Sequence, residues 1–323
     1  MIQRPKIQRR RLLASAGFAA SVLAAPAIVR AQGKTVKMGT LRLVHSMPPY
    51  FYEKFAPAGT KIEIIVFDSP TDGKNAVVTK SVDFGTFGIA AGILGAAVGE
   101  PVTVVGALSN KGMGIISKAG SDVKTLKDLK GKKVGIWPGS TQEVFVMERL
   151  RMEGMSIKDV TAVRVPFGEM PTMLARGDID AYVGAEPGPG LSITTGQGQL
   201  VEYPYSTPMG GLNMIFATHA DTAAKLPELV TMMLKTHRAA VEYMMANKPA
   251  VTDMTVAKLG ANRAAVDQAL NANNVEYVWK LDDKVLGQAK TYAQQMLELK
   301  QIRQLPKFDT FLNPKFSNEI AAA

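Results

Sequence analysis

The chain of 323 residues contains no cysteine and only three histidines, His45, His219 and His237. The absence of cysteine excludes thiolate catalysis, disulfide frameworks, cysteine-ligated zinc and cysteine-ligated iron–sulfur clusters. Hydrophobic residues make up 46% of the sequence and charged residues 20%, with a mean hydropathy of +0.04, which excludes disorder and a polytopic membrane protein. The sequence therefore predicts a soluble globular chain of two or three domains.

Catalytic and metal-binding signatures are also missing. No segment completes a phosphate loop or a dinucleotide fingerprint, and neither H-E-x-x-H nor G-x-S-x-G occurs. His237 lies on the apolar stripe of a predicted helix, where core packing is its expected role. The sequence predicts no catalytic residue, no metal and no cofactor.

The net charge of +10 raises the question of nucleic-acid binding. Six basic residues and no acidic residue lie within residues 1–31. Without them, 32 of the 38 basic residues remain against 28 acidic residues, a net charge of +4. Because no basic run interleaved with aromatic residues survives, we predict no nucleic-acid partner.

The N-terminal segment has the order of an export signal. A basic start is followed by an apolar stretch from Leu12 to Val29 and a small-residue exit that ends at Ala31. The run from Arg9 to Leu13 is similar to the twin-arginine pattern, which a receptor reads as an address. We predict export to the periplasm and cleavage after Ala31, with an uncleaved membrane anchor as the alternative.

Strands and helices alternate in two stretches of the remaining chain, which is typical of an α/β fold. The first stretch runs from a predicted strand at Thr35–Leu43 to one at Val102–Ala107, and the second from Lys133–Trp137 to Ile179–Val183. Short sequence matches at offsets of 97 and 98 residues occupy equivalent places in both stretches, which favours a duplicated architecture with a cleft between two lobes.

The pattern turns helical from Thr218 onward. We predict that this helical tail packs back on the first lobe, because its apolar faces have no other obvious partner. The predicted division is therefore an export signal at 1–31, a first lobe of 32–118 plus 217–323, and a second lobe of 119–216.

Candidate ligand contacts in the first lobe follow its strands. In open α/β sheets ligands bind at the carboxyl ends of strands, and His45 follows the first predicted strand there. A surface turn is the alternative for this residue. Gly88 would let a ligand approach the free N–H groups at a helix start. The predicted contacts in this lobe are His45, Ser46, Ser69, Phe87, Gly88 and Ile89.

The matching corner of the second lobe starts a well-marked helix. Ser140 caps it and Glu143 completes a capping box. Free N–H groups and hydroxyls at this start predict a small anion site formed without an arginine, and a capped helix that binds nothing is the alternative. Glu186 follows a later strand and either accepts hydrogen bonds from a ligand or is solvated. The predicted contacts are Gly139, Ser140, Thr141, Gln142 and Glu186.

Two arginines lie near these corners. Arg42 and Arg164 both fall within predicted strands. Either could supply the counter-charge of an anionic ligand, or be an exposed residue at a sheet edge. The residues at these corners are compatible with a sulfonate, a nitrate, a carboxylate or a neutral heterocycle as the ligand.

The region from Thr125 to Pro187 resembles a known family, the periplasmic substrate-binding proteins of the nitrate/sulfonate/taurine class of ABC importers. The resemblance rests on a Leu-Lys-Gly-Lys-x-Val strand entry at Leu129–Val134, a Gly-Ser-Thr helix start at Gly139–Thr141, and Gly-x-Ile-Asp-Ala at Gly177–Ala181 before Glu186-Pro187. The first-lobe segment "SVDFGTFGIAAGILGAAVGEPVTVVGAL" is similar to the same family.

The resemblance implies an α/β fold of the two-lobed periplasmic binding protein type (type II), each lobe a sheet flanked by helices, with the helical tail on the first lobe. It implies that the chain is a monomeric receptor which captures a small anionic or polar solute by hinge closure and delivers it to an ABC permease. The alternative is an enzyme similar to thiamin-pyrimidine synthases, which share the fold but resemble cytosolic proteins with a cysteine-rich motif.

Overall fold

A computed structural model describes residues 34–322 of the chain. The predicted export signal and its cleavage site lie outside the described residues. The strands, in chain order, are β1 (Lys34–Leu41), β2 (Thr60–Phe67), β3 (Phe84–Gly88), β4 (Val102–Lys111), β5 (Met113–Lys118), β6 (Lys133–Ile136), β7 (Thr161–Arg164), β8 (Ala181–Ala185), β9 (Gly198–Glu202), β10 (Leu212–His219) and β11 (Val275–Tyr277).

These strands form two sheets. The first has the order β11-β4-β10-β3-β1-β2, and the second has the order β7-β6-β8-β5-β9. Strands β1, β2 and β3 are parallel, as are β6, β7 and β8, whereas β10 and β5 run antiparallel to both of their neighbours. Two connections join the sheets, one through Gly112 between β4 and β5, and one through residues 203–211 between β9 and β10.

The helices are α1 (Pro70–Val78), α2 (Ile89–Ala97), α3 (Thr141–Met152), α4 (Met170–Arg176), α5 (Gly188–Thr194), α6 (Ala220–Lys225), α7 (Pro227–Ala246), α8 (Lys248–Leu259), α9 (Arg263–Asn271), α10 (Asp283–Glu298), α11 (Phe308–Phe311) and α12 (Lys315–Ala322). Two short 3-10 helices follow β1, at Val44–Ser46 and Pro48–Lys54. Among the described residues, no helix has both the length and the apolar character needed to cross a bilayer.

The predicted α/β fold with two sheets flanked by helices is confirmed. Along α7 the predicted apolar stripe is buried from Val230 through His237 to Met244, whereas Leu226 is exposed because it precedes the helix. The tail packs on the first sheet, where α7 lies against β4 and β11 and α10 against β10. It also reaches the second lobe, since α9 packs on α5 and Gly190 closely approaches the carbonyl of Ala265.

Three local predictions need correction. The predicted helix after β1 is a 3-10 helix, because its hydrogen bonds join residues three apart, such as Tyr50 N–H to the carbonyl of Met47 at 3.0 Å and Phe55 N–H to that of Tyr52 at 2.9 Å. Helix α5 was missed, since its opening Gly188-Pro189-Gly190 is typical of a turn. Strand β5 pairs with β8 and β9 in the second sheet. The boundary predicted at residue 118 assigns this strand to the first lobe. The residue ranges of the lobes otherwise stay predictions.

Candidate ligand-binding cleft

A cleft of about 720 Å³ opens between the two sheets. It lies at the carboxyl ends of β1 and β2 on one side and of β6, β7 and β8 on the other, the place where α/β sheets bind ligands. Its volume falls within the range of about 300–1,000 Å³ that small organic ligands occupy. The side chains that give it chemical character are Arg42, Asp68, Ser69, Asp72, Trp137, Arg164, Phe167 and Glu169.

The first-sheet wall carries an arginine that has a carboxylate beside it. Arg42 Nε lies 3.7 Å from Asp68 Oδ1, and both side chains are more than half exposed. An exposed pair at this distance is held weakly, because water screens it. Arg42 and Asp68 therefore present little net charge to the cleft.

The second-sheet wall carries an arginine in a different setting. The guanidinium carbon of Arg164 lies 4.8 Å from the ring centroid of Trp137, a cation–π contact. Phe167 lies beside Trp137, with ring centroids 6.5 Å apart. Among residues 34–322, no carboxylate lies within 4.0 Å of the Arg164 guanidinium.

The start of α3 was predicted to bind an anion, and the structure places an anion of the protein itself there. Ser140 Oγ accepts from Glu143 N–H at 3.2 Å, so Ser140 caps the helix. The Glu143 carboxylate accepts from Gly139 N–H at 2.8 Å rather than from Ser140 N–H, which completes the box differently than predicted. Burial raises the pKa of Glu143. A ligand anion at Gly139 would have to displace this carboxylate.

The start of α1 also carries a carboxylate in its first turn, but Asp72 accepts from the Ser69 hydroxyl rather than from a backbone N–H. Ser69 lines the cleft, accepts from Asp72 N–H at 3.1 Å and donates to Asp72 Oδ2 at 2.8 Å. The carboxylate in the first turn of this helix already interacts favourably with the helix dipole. The starts of α1 and α3 therefore each carry a negative charge of the protein itself.

Three of the predicted contacts lie in or beside the core of the first lobe. Phe87 and Ile89 are fully buried in the hydrophobic core, because helices cover both faces of β3, and neither side chain reaches the cleft. Gly88 instead marks where the lobes touch. A side chain at Gly88 would collide with Thr141 Oγ1, so only glycine permits this approach. Thr141 and the neighbouring Gln142 are buried at this contact.

His45 and Ser46 are buried beside the connection between the sheets. Within the described part of the chain, the two ring nitrogens of His45 have no hydrogen-bond partner. The same is true of the Ser46 hydroxyl. Burial lowers the pKa of His45 to about 3, so its ring is neutral. The ring packs against Gly112, whose φ of +83° and close contact with the imidazole both require glycine. The alternative of a surface turn does not hold for these residues, since both are fully buried.

Glu186 was predicted to contact the ligand or be solvated, and the structure gives it a third role. Its buried carboxylate accepts from Asn274 Nδ2 at 2.7 Å and from Gly190 N–H at 3.0 Å. Its backbone N–H donates to the carbonyl of Gly112 at 2.9 Å. Desolvation raises the pKa of Glu186 to about 7. The carboxylate thus faces the connection between the sheets, and only its neighbours Ala185 and Pro187 line the cleft.

Asn274 links these groups. It is almost fully buried, and its Oδ1 accepts from the Tyr205 hydroxyl at 2.6 Å. The same hydroxyl accepts from Met113 N–H at 2.8 Å, directly after Gly112. We call Gly112, Glu186, Tyr205 and Asn274 the hinge cluster, since they link the two connections, through Gly112 and Tyr205, to Glu186 after β8 and Asn274 before β11.

Sequence reasoning reached the correct sheet edge but missed several side chains on it. Trp137 and Phe167 belong to the cleft wall, and their places at the ends of a strand and of the segment after β7 could have indicated this. Asn274 had no such signal, because it lies in a loop 88 residues beyond Glu186 in sequence. Among the described residues, no group of three or more metal-binding side chains comes together.

Comparison with known proteins decides the family. Residues 52–250 match the model of the family described as NMT1/THI5 like, which is more than half of the chain. The chain belongs to the NMT1/THI5-like family. The family resemblance identified from the sequence is thereby confirmed.

The similar proteins include both enzymes and binding proteins by name. A 4-amino-5-hydroxymethyl-2-methylpyrimidine phosphate synthase of Uromyces fabae is 29% identical over 161 residues, 47% of each chain. The chain spans about half or less of the length of the curated relatives it matches. The structure matches that of the alkanesulfonate-binding protein SsuA from Xanthomonas axonopodis pv. citri bound to MOPS with a TM-score of 0.77, at 18% identity, over 88% of this chain and 100% of that one.

A second solved structure gives the same fold. The periplasmic nitrate-binding protein NrtA from Synechocystis matches with a TM-score of 0.75 and 16% identity, over 90% of this chain and 88% of that one. At these identities the likeness establishes the fold, which is that of periplasmic binding proteins.

Proposed function

We propose that this member of the family is the solute-binding receptor of an ABC importer. The observation that carries the proposal is the cleft of about 720 Å³ between two sheets that are joined by two connections. Such an arrangement lets ligand binding bias a hinge between open and closed forms, and the closed form would dock on the permease. The solute-binding proteins of known structure with this fold support the same reading.

The site and the setting of the receptor are part of this proposal. Ser69 lines the cleft, and the unpartnered atoms of His45 and Ser46 are available to a ligand that enters when the lobes separate. Residues Gly139 to Gln142 would contact it from the other lobe. The receptor is a monomer exported by the twin-arginine route, with its signal cleaved after Ala31, and it works in the periplasm. It is not an enzyme.

A second candidate has one specific observation in its favour, the pyrimidine phosphate synthase names of several curated relatives. The absence of cysteine weakens that candidate, because the synthases that the sequence resembles carry a cysteine-rich motif. The two functions differ in whether the bound molecule is returned unchanged.

A thermal-shift screen of the purified protein against sulfonates, nitrate, carboxylates, amino acids and pyrimidines tests the proposal. A ligand at 100 times its dissociation constant raises the free energy of unfolding by about 2.7 kcal/mol. Gly168→Trp, which places a large side chain in the cleft, should lose the shift, whereas Gly287→Trp, which adds the same side chain on the exposed surface of α10, should keep it. A Cβ at either glycine meets no atom within 4 Å, so both variants should fold. A folded protein that responds to none of these solutes, or that forms a pyrimidine phosphate detected by mass spectrometry, would contradict the receptor function.

A further inference from the structure

The cleft is too large for a small inorganic anion. An oxyanion of four atoms would fill only a small part of about 720 Å³ and would leave its apolar lining exposed to water. That lining includes Leu41, Leu43, Phe167 and Leu191 around the Trp137 ring. The apolar lining therefore favours a ligand that has an apolar body as well as any charged group.

The charges of the cleft limit the ligand to one negative group. The walls carry two arginines, Arg42 and Arg164, and three carboxylates, Asp68, Asp72 and Glu169. Asp68 stands beside Arg42, and Asp72 is held at the start of α1 by Ser69. A dianion would meet the field of at least two carboxylates with only one arginine left to balance it.

Arg164 is the cation that remains for the ligand. It has no carboxylate partner within the described residues, and its contact with the Trp137 ring holds the guanidinium in the cleft wall at 4.8 Å. A guanidinium that lies on an aromatic face keeps N–H donors for a planar, two-oxygen acceptor. The starts of α1 and α3 already carry the carboxylates of Asp72 and Glu143. The starts of α4 and α5 also line the cleft, but these helices have only seven residues each, and Glu169 stands at the start of α4.

The aromatic pair beside Arg164 favours a planar body. Trp137 and Phe167 meet at an interplanar angle of 46° with their centroids 6.5 Å apart. Aromatic rings pack against such a tilted pair through edge and face contacts that a saturated ring cannot reproduce. Resting on the receptor function proposed above, we propose that the cleft selects organic monoanions with an aromatic ring, such as arene carboxylates or arene sulfonates, with Arg164 binding the anionic group and Trp137 and Phe167 the ring.

Isothermal titration of the purified full chain with matched probes tests this inference. Benzoate and benzenesulfonate carry ring and charge, benzamide carries the ring alone, cyclohexanecarboxylate carries the charge without aromaticity, and terephthalate carries two charges. We expect benzoate or benzenesulfonate to bind at least about tenfold more tightly than each of the other three. Benzamide loses the charged hydrogen bond, cyclohexanecarboxylate loses the aromatic contact, and the second charge of terephthalate meets the carboxylates of the cleft.

Substitution of Arg164 separates charge recognition from a general effect on the cleft. Arg164→Gln should weaken benzoate or benzenesulfonate by about tenfold or more and leave benzamide unchanged, because only the anionic group uses the guanidinium. Arg176→Gln is the matched control, since Arg176 is exposed in the same lobe and pairs with Asp178 at 2.6 Å away from the cleft lining. Unchanged melting temperatures would show that both variants fold.

The outcomes distinguish this inference from the receptor function. Tighter binding of cyclohexanecarboxylate, terephthalate or an aliphatic sulfonate, or an arene anion whose affinity ignores Arg164→Gln, would overturn the ligand class while leaving a receptor. Failure of every small solute to bind would instead overturn the receptor function itself.

Discussion

The cleft and the hinge cluster lie along the same edge of the two sheets, yet they treat polar groups in opposite ways. In the hinge cluster Glu186 and Asn274 are buried and satisfied by each other and by Tyr205. In the cleft Arg164 is exposed and has only an aromatic contact among the described residues. Polar groups of the hinge cluster find their partners within the chain and hold the lobes together, whereas the guanidinium of Arg164 keeps its N–H donors for a solute.

The same distinction explains why the predicted anion site at the start of α3 is less suited to a ligand than the sequence indicated. Its Gly139 N–H already has a protein partner in Glu143. A helix start with an internal carboxylate resembles the hinge cluster more than the cleft.

The largest effect should come from removing the central side chain of the hinge cluster. Asn274→Ala removes the charge-assisted hydrogen bond to the buried Glu186 carboxylate and the acceptor of the Tyr205 hydroxyl, and we expect it to lower the free energy of unfolding by about 4 kcal/mol. Urea unfolding at pH 8 would measure this loss. Asn271→Ala, an exposed neighbour on α9, should change stability by no more than about 0.5 kcal/mol. Equal stabilities would remove the basis for distinguishing the two regions.

The pH dependence of stability should carry the signature of Glu186. Its folded-state pKa of about 7 is raised above the ordinary value of about 4.3, so the folded protein keeps a proton that the unfolded chain releases between these pH values. This contribution is fully present below about pH 4.3 and is lost as the pH rises through 7. The fall should amount to about 3 kcal/mol, and Glu186→Gln should abolish it.

The buried histidines make stability depend on pH in the opposite direction. The quantity to measure is therefore the difference in unfolding free energy between wild type and Glu186→Gln at each pH. Burial lowers the pKa of His45 to about 3 and that of His237 to about 4, so their contributions are lost as the pH falls below about 6.5. Both remain in the variant and cancel. Parallel unfolding curves for wild type and Glu186→Gln from pH 5 to 8 would contradict the assignment.

A smaller effect, on binding alone, is expected in the cleft. Trp137→Leu removes the ring that holds Arg164, and we expect the affinity for benzoate or benzenesulfonate to fall by about tenfold, equal to about 1.4 kcal/mol. Trp279→Leu is a matched control, because Arg238 lies 5.1 Å from the Trp279 ring outside the cleft. Calorimetric titration that finds the same loss in both variants would attribute it to general destabilisation.

The smallest effect should follow Arg42→Gln. Because Arg42 is exposed and lies beside Asp68, its removal should change affinity for an arene anion by less than about threefold. A loss as large as that of Arg164→Gln would mean that the two walls of the cleft contribute equally, which would erase the contrast between them.

Much of this architecture could be predicted because local sequence patterns determine it. Alternating strands and helices identify the α/β fold, and Ser140 marks the start of α3 through its own sequence context. Positions at the carboxyl ends of strands also directed attention to the correct edge. The hydrogen-bond partner of each side chain could not be predicted from local patterns. Whether Glu186 meets a ligand or Asn274 depends on a loop far away in sequence, and whether Gly139 has a free N–H depends on the rotamer of Glu143.

The most direct test of the account is a crystal structure of the protein with whichever of benzoate and benzenesulfonate binds more tightly. We predict the anionic group within about 3 Å of the Arg164 guanidinium, with the ring against Phe167 and Trp137. A ligand whose anionic group instead displaces Glu143 from Gly139 N–H, or that lies outside the space between the two sheets, would contradict the account.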